Sequence, residues 1–191
     1  MDAGGTITAG DISARDDIAL RAGSTLVVGI LQSGVTIDGQ GPVDQAGSAD
    51  ALLGQTLLGH DLFVQGGTVD LTRAIANGTN SDLTVRATTG ELSILDGEAG
   101  GMITLVKQGT TGILTADTLL AGTGATLTSD TDIEATTVET VTGDLAFTAR
   151  GNVTVVNPLA ADDVASYAGG TINTADISAR DDIALRAGNT L

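Results

Sequence analysis

The chain has 191 residues, with 8 Lys and Arg against 24 Asp and Glu, a formal net charge of -16, no Cys, no Trp and only three aromatic residues, Phe63, Phe147 and Tyr167. An ordinary domain fills much of its core with rings that each bury roughly 150–250 Å², so this interior must use small aliphatic side chains, while a hydrophobic fraction of 41% excludes a disordered polyanion. Without Cys, and with His60 the sole histidine, there is no disulfide scaffold, thiolate zinc site or Ser-His relay, and an isoelectric point near 4.1 with scattered basic residues excludes nucleic acid as a partner.

At the amino terminus, Met1-Asp2-Ala3-Gly4-Gly5 lacks the basic and apolar regions of a signal peptide and reads as an initiator Met on a piece of a longer chain. No later stretch reaches the roughly 18 consecutive apolar residues of a membrane-spanning helix. Short strands follow in order: Asp17-Ile18-Ala19-Leu20, Asp61-Leu62-Phe63-Val64, Thr68-Val69-Asp70-Leu71, Asp82-Leu83-Thr84-Val85 and Glu91-Leu92-Ser93-Ile94. Beyond them come Met102-Ile103-Thr104-Leu105, Ala125-Thr126-Leu127-Thr128, Asp144-Leu145-Ala146-Phe147 and Asn152-Val153-Thr154-Val155. Each alternates with a period of two, is rich in Thr, Val, Ile and Leu, and is bracketed by Gly, Asp or Asn. Two stretches interrupt the pattern. Residues 48–59 carry helical spacing between a Ser cap and a terminal Gly, and residues 157–170 read as a helical turn with Asn157 as cap, Pro158 first and Gly169-Gly170 as stop. Both are expected to leave the main body at corners, as loops 40–60 and 157–170, and to cover apolar edges.

The chain closes on a copy of its beginning. Residues 169–191, GGTINTADISARDDIALRAGNTL, repeat residues 4–26, GGTITAGDISARDDIALRAGSTL, at an offset of 165 with 19 of 23 positions identical. The unit is therefore a 165-residue block, about residues 4–168, followed by the start of a second at 169–191, all within one body spanning residues 1–191. Strand spacing alone admits a sandwich or barrel. Three features favour a solenoid: strands too short to span a sandwich, corner residues between all of them, and a shortage of rings that suits a narrow interior of stacked aliphatic ladders. The expectation is an all-β parallel β-helix whose coils of roughly 20 residues stack about eight to a block and rise about 40 Å.

Paired carboxylates occur at Asp16-Asp17, Asp162-Asp163 and Asp181-Asp182, with Asp130 and Asp132 close by. A polysaccharide lyase or hydrolase needs two carboxylates, or calcium and a base, in one groove. Adjacent strand residues point to opposite faces, so these acids are expected to satisfy turn backbone and keep sheet edges apart. No cofactor is expected; calcium is the more serious ligand for these oxygens, yet the GGxGxD nonapeptide is missing after Gly4-Gly5 and Gly169-Gly170. No catalytic, cofactor or metal residue is assigned. His60, Lys107 and Tyr167 are expected to be solvated, and the arginines, among them Arg15, Arg21, Arg180 and Arg186, to pair with acids on neighbouring coils. A lattice-binding face of Thr-x-Thr is discounted, because Thr6-Ile7-Thr8 becomes Thr171-Ile172-Asn173 in the second copy.

The segments GDISARDDIALRAG (10–23), ADISARDDIALRAG (175–188) and GDLAFTARGNVTV (143–155) resemble repeats of filamentous haemagglutinin-like adhesins, which Gram-negative bacteria export by two-partner secretion. The resemblance covers the first 30 and last 50 residues well and the middle loosely. It implies a right-handed parallel β-helix and a non-enzymatic stalk of an extracellular fibre on the bacterial cell surface, serving attachment or biofilm. A surface receptor or glycan would then be the partner. Arg15-Asp16-Asp17 lacks the Gly of an integrin motif. The alternatives are a calcium-binding extracellular solenoid and a β-helical polysaccharide-processing enzyme. Terminal coils without neighbours are expected to stack head to tail.

Overall fold

A computed structural model describes residues 1–43 and 59–189; the helix expected at 48–59 lies, but for its last residue, outside them. Among the described residues the chain is all-β, with parallel strands in stacked coils and no helix. One sheet, here sheet A, stacks β1 (Asp2–Ala3), β3 (Ile18–Ala22), β5 (Leu62–Gly66), β7 (Leu83–Ala87), β9 (Met102–Lys107), β11 (Gly124–Ser129), β13 (Leu145–Ala149), β15 (Val164–Ala168) and β17 (Ile183–Ala187). Sheet B stacks β2 (Ile7–Ser13), β4 (Thr25–Ser33), β6 (Thr68–Ala76), β8 (Leu92–Ala99), β10 (Leu114–Ala121), β12 (Ile133–Thr140), β14 (Val153–Leu159) and β16 (Ile172–Thr174). The chain passes from one sheet to the other at every corner, which gives a β-solenoid of about nine turns.

The coil length follows from the register. Most partners are 19 residues apart, as Val164 to Ile183, to 23 apart, as Val69 to Leu92, while Ile18 and Leu62 are 44 apart because the excursion after β4 lies between them. Ile18, Leu62, Leu83, Ile103, Ala125, Leu145, Val164 and Ile183 form one ladder, so the 165-residue offset spans seven coil steps. At about 4.8 Å per coil the block rises about 34 Å, less than expected, because one coil carries the long excursion. The same seven steps separate Ile7 from Ile172 on sheet B, so the repeat and the coil are in phase.

The core is the set of inward ladders. Leu62, Leu83, Ile103 and Leu145 on sheet A face Leu92, Leu114 and Ile133 on sheet B, and none is more than 1% exposed. Each such side chain contributes roughly 1.5–3 kcal/mol on burial, and parallel in-register stacking buries the same position in every coil. Sheet B strands β2 to β14 run to seven to nine residues because each crosses a bend. In β10, Asp117 and Thr118 both face outward, and the register passes over Asp117, which splits the strand into two inward-facing limbs. Gly97 sits on the inner side of the second limb, where a Cβ would lie 2.7 Å from Leu119 Cδ2.

Residues 157–170 correct the helical expectation. Asn157-Pro158-Leu159 end β14 and Val164–Ala168 form β15. Pro158 fixes φ near -65° and removes one N–H, which reads as a helix start in isolation but also fits extended chain. Here Pro158 is register partner of Val138, is buried at an inward ladder position, and its carbonyl accepts the Ser178 N–H at 3.1 Å.

Candidate functional site

The corners hold most of the polar chemistry. Asp17 Oδ1 accepts the Asp61 N–H, Asp61 Oδ1 the Asp82 N–H and Asp82 Oδ1 the Met102 N–H, each at 2.7 Å. The line resumes from Asp144 to Asp163 at 3.1 Å and from Asp163 to Asp182 at 2.9 Å. A second line at the entry to sheet B runs from Asp132 to Asn152 at 2.6 Å and from Asn152 to Thr171 at 2.9 Å. The recurrent Asp or Asn before these strands thus caps the next coil, which corrects the expectation that it satisfies the backbone of its own turn.

Of the paired carboxylates, Asp162, Asp163 and Asp181 come together: one carboxylate oxygen of each lies within 4.8 Å of the others at the last described corner of sheet A. Oxygen-only donors suit a hard cation such as calcium, and Asp163 spends one oxygen on the Asp182 N–H. Asp16 instead faces His60, with Oδ1 4.0 Å from Nδ1. Asp130 and Asp132 are brought to the corner of Lys107.

Lys107 corrects a sequence expectation most sharply. It is 1% exposed, at the inward position that Ala87 holds in the coil before and Ser129 in the coil after. Its Nζ donates to Gly109 O at 2.9 Å and Thr131 Oγ1 at 3.0 Å, and Thr131 Oγ1 donates to Gly112 O at 2.6 Å. Asp130 Oδ2 accepts the Gly109 N–H at 3.0 Å, and its Oδ1 lies 3.1 Å from Arg150 Nε. Gly109 and Gly112 adopt φ of +83° and +73°, the left-handed region a side chain resists. The amine therefore ties down an oversized corner, 108–113. Burial holds its pKa below the usual 10.5, with Asp130 and Asp132 pulling the other way. The overlooked signal was phase: Lys107 is two residues beyond Leu105 and four beyond Ile103, both inward.

His60 is also more enclosed than expected. Its side chain is 17% exposed beside Asp16, its carbonyl accepts the Ser33 hydroxyl, and its N–H donates to Ser81 Oγ at 2.9 Å. Tyr167, at 48% exposure, is on the surface as expected. The arginines divide. Arg73 pairs with Asp96 at 2.9 Å across adjacent coils, as Arg150 does with Asp130. Arg15 instead donates to Gly41 O and Gln40 Oε1, and Arg21 and Arg186 lie over the rings of Phe63 and Tyr167 at 5.6 and 5.7 Å.

No family model, curated protein or solved structure matches the chain. The functional reading therefore rests on this geometry. Inside the last described coils, the space bounded by Phe147, Val155, Val164 and Leu185 is about 10 Å³, the scale of a single water. The larger concavities are open surface grooves, among them one at the corner of Gly78, Gly100 and Gly122, one beside Thr148, Tyr167 and Arg186, and one along the sheet B bend between Leu95 and Val156. No described helix is long and apolar enough to cross a membrane.

Proposed function

We propose that the chain is a stalk segment of a large secreted or surface bacterial adhesin, a rod whose work is reach, rigidity and display. The observation that carries this reading is phase. The two copies of the 23-residue repeat lie seven whole coils apart on the same strands of the same sheets, so further blocks would continue the ladders without a break. The segment 34–61 between two strands would then recur about every 34 Å along a fibre. The resemblance of the repeats to filamentous haemagglutinin-like adhesins supports extracellular use on a bacterial surface, where a receptor or glycan would be the partner.

Two measurements test it. A protein extended by one 165-residue block should lengthen by about 34 Å in small-angle scattering at an unchanged cross-section; a bent or globular particle would end the stalk reading. Antibodies against this segment should label intact cells that make the parent protein, and labelling only after lysis would remove the surface assignment. A calcium-binding solenoid is the second reading, favoured by the Asp162, Asp163 and Asp181 group. Calcium at a hundredfold excess over a specific Kd would stabilise by about 2.7 kcal/mol, a melting shift absent in the stalk reading.

A further inference from the structure

The rod is strongly polarised around its circumference. Across β3 to β17, sheet A carries no Asp or Glu at all; Asp2 in β1 is its one acid. Its outer face over the last six coils presents Thr104, Thr126 and Thr148 beside Arg86, Tyr167 and Arg186. Sheet B strands hold Asp11, Asp70, Asp96, Glu98, Asp117, Glu134 and Glu139, against Arg73 as their one basic residue. Asp117, Glu134 and Glu139 are exposed, and the first two line the open groove at the bend beside Leu95 and Val156, which are 53% and 41% exposed. Uniform negative charge would suffice to keep a rod soluble; the sheet A strands themselves hold none of it, and the acids nearest them are the corner aspartates Asp61, Asp82, Asp144, Asp163 and Asp182 that border them.

We infer that the sheet A face of one copy docks side by side on the acidic sheet B face of a second copy. The faces are complementary in charge, and both are ruled at the same coil rise of about 4.8 Å, so Arg86 and Arg186 meet acids without a change of spacing. From β7 to β17 the face measures about 29 by 16 Å, roughly 450 Å² per partner and 900 Å² in all, below the 1,200–2,000 Å² of stable complexes. The contact is therefore weak for one chain, and consecutive blocks would multiply it through effective concentration. It is also heterologous, face A to face B, so it builds open bundles rather than closed dimers. Each copy carries -16 overall, which opposes approach when the screening length is long. At about 0.15 M salt the Debye length of about 8 Å hides the remote acids but not the contact pairs, whereas about 3 Å at 1 M weakens the pairs as well.

Sedimentation equilibrium of the whole chain at hundreds of micromolar tests this directly. The expected result is reversible association that is strongest near 0.15 M salt and weaker at both 0.01 M and 1 M. Arg86→Glu with Arg186→Glu should raise Kd roughly tenfold, and so should Asp11→Lys with Glu139→Lys, which like the two arginines stand five coils apart. Mixing the two charge-reversed proteins should restore association between unlike partners. All four side chains are exposed, and an unchanged β-sheet circular dichroism spectrum confirms that the variants fold. Monomer at every salt concentration overturns the inference. So does association that the reversals leave untouched, which would be end-to-end stacking, and so does a mixture that stays monomeric. In each of these cases the rod shape and block phase behind the stalk proposal would stand.

Discussion

Residues 4–26 and 169–191 are nearly the same sequence in two different places, one with coils above it and one with coils below. Ile18 and Leu20 are 5% and 2% exposed, whereas Ile183 is 49% exposed and Leu185 only half-buried. The difference reverses at the glycines. A Cβ on Gly4 would meet nothing within 4 Å, while one on Gly169 would lie 2.1 Å from Arg150 O. Within the repeat itself the copies agree, since a Cβ on Gly23 or Gly188 would lie 2.3 or 2.2 Å from Gly4 O or Gly169 O one coil before. Burial is thus conferred by the neighbouring coil, and stability is a sum of coil-to-coil interfaces.

The largest expected contrast is at the buried ladder. Ile18→Ala should cost about 2–5 kcal/mol in urea denaturation and Ile183→Ala within about 0.5 kcal/mol; equal costs would break the nearest-neighbour account. Next comes the glycine pair. Gly169→Ala should lose about 1–3 kcal/mol through backbone displacement, while Gly4→Ala should be neutral or slightly stabilising. The corner carboxylates give a smaller contrast. Asp163→Ala frees the Asp182 N–H and should cost about 1 kcal/mol, whereas Asp182→Ala, at the last coil, should be near zero.

The smallest effect is at Lys107, the only lysine. Because burial holds its pKa below 10.5, rising pH removes its proton in the folded protein before the unfolded chain. Over the window between the two values the unfolded chain binds more protons, so this group makes stability rise with pH. Lys107→Met should flatten that rise in denaturation midpoints measured up to pH 10.5; an unchanged slope would assign it elsewhere. Mass spectrometry after brief amine acylation should likewise find Lys107 protected until the protein unfolds.

The strands were legible because a period of two with aliphatic content needs no partner to be recognised, and the last three residues of every short strand read from the sequence lie in a strand between β3 and β14. The turn at 157–170 was not, because Asn, Pro, acidic residues and Gly-Gly punctuate a helix and a solenoid corner alike; only the ladder with Val138 decides for strand. Lys107 was misplaced for a related reason. Its charge argued for solvent, while its phase with Ile103 and Leu105 argued for the interior, and the carbonyl of Gly109 with the hydroxyl of Thr131 makes that interior tolerable.

By itself, the amino-acid order determined the β architecture, the coil of about 20 residues and the repeating block, because these follow from local alternation and from self-similarity. Tertiary structure alone decided which carboxylate caps which backbone, how deep the lysine lies and which face is free of acid. Those depend on residues some 19 to 23 positions apart being brought to strand-pairing distance, and stacking achieves that one coil at a time.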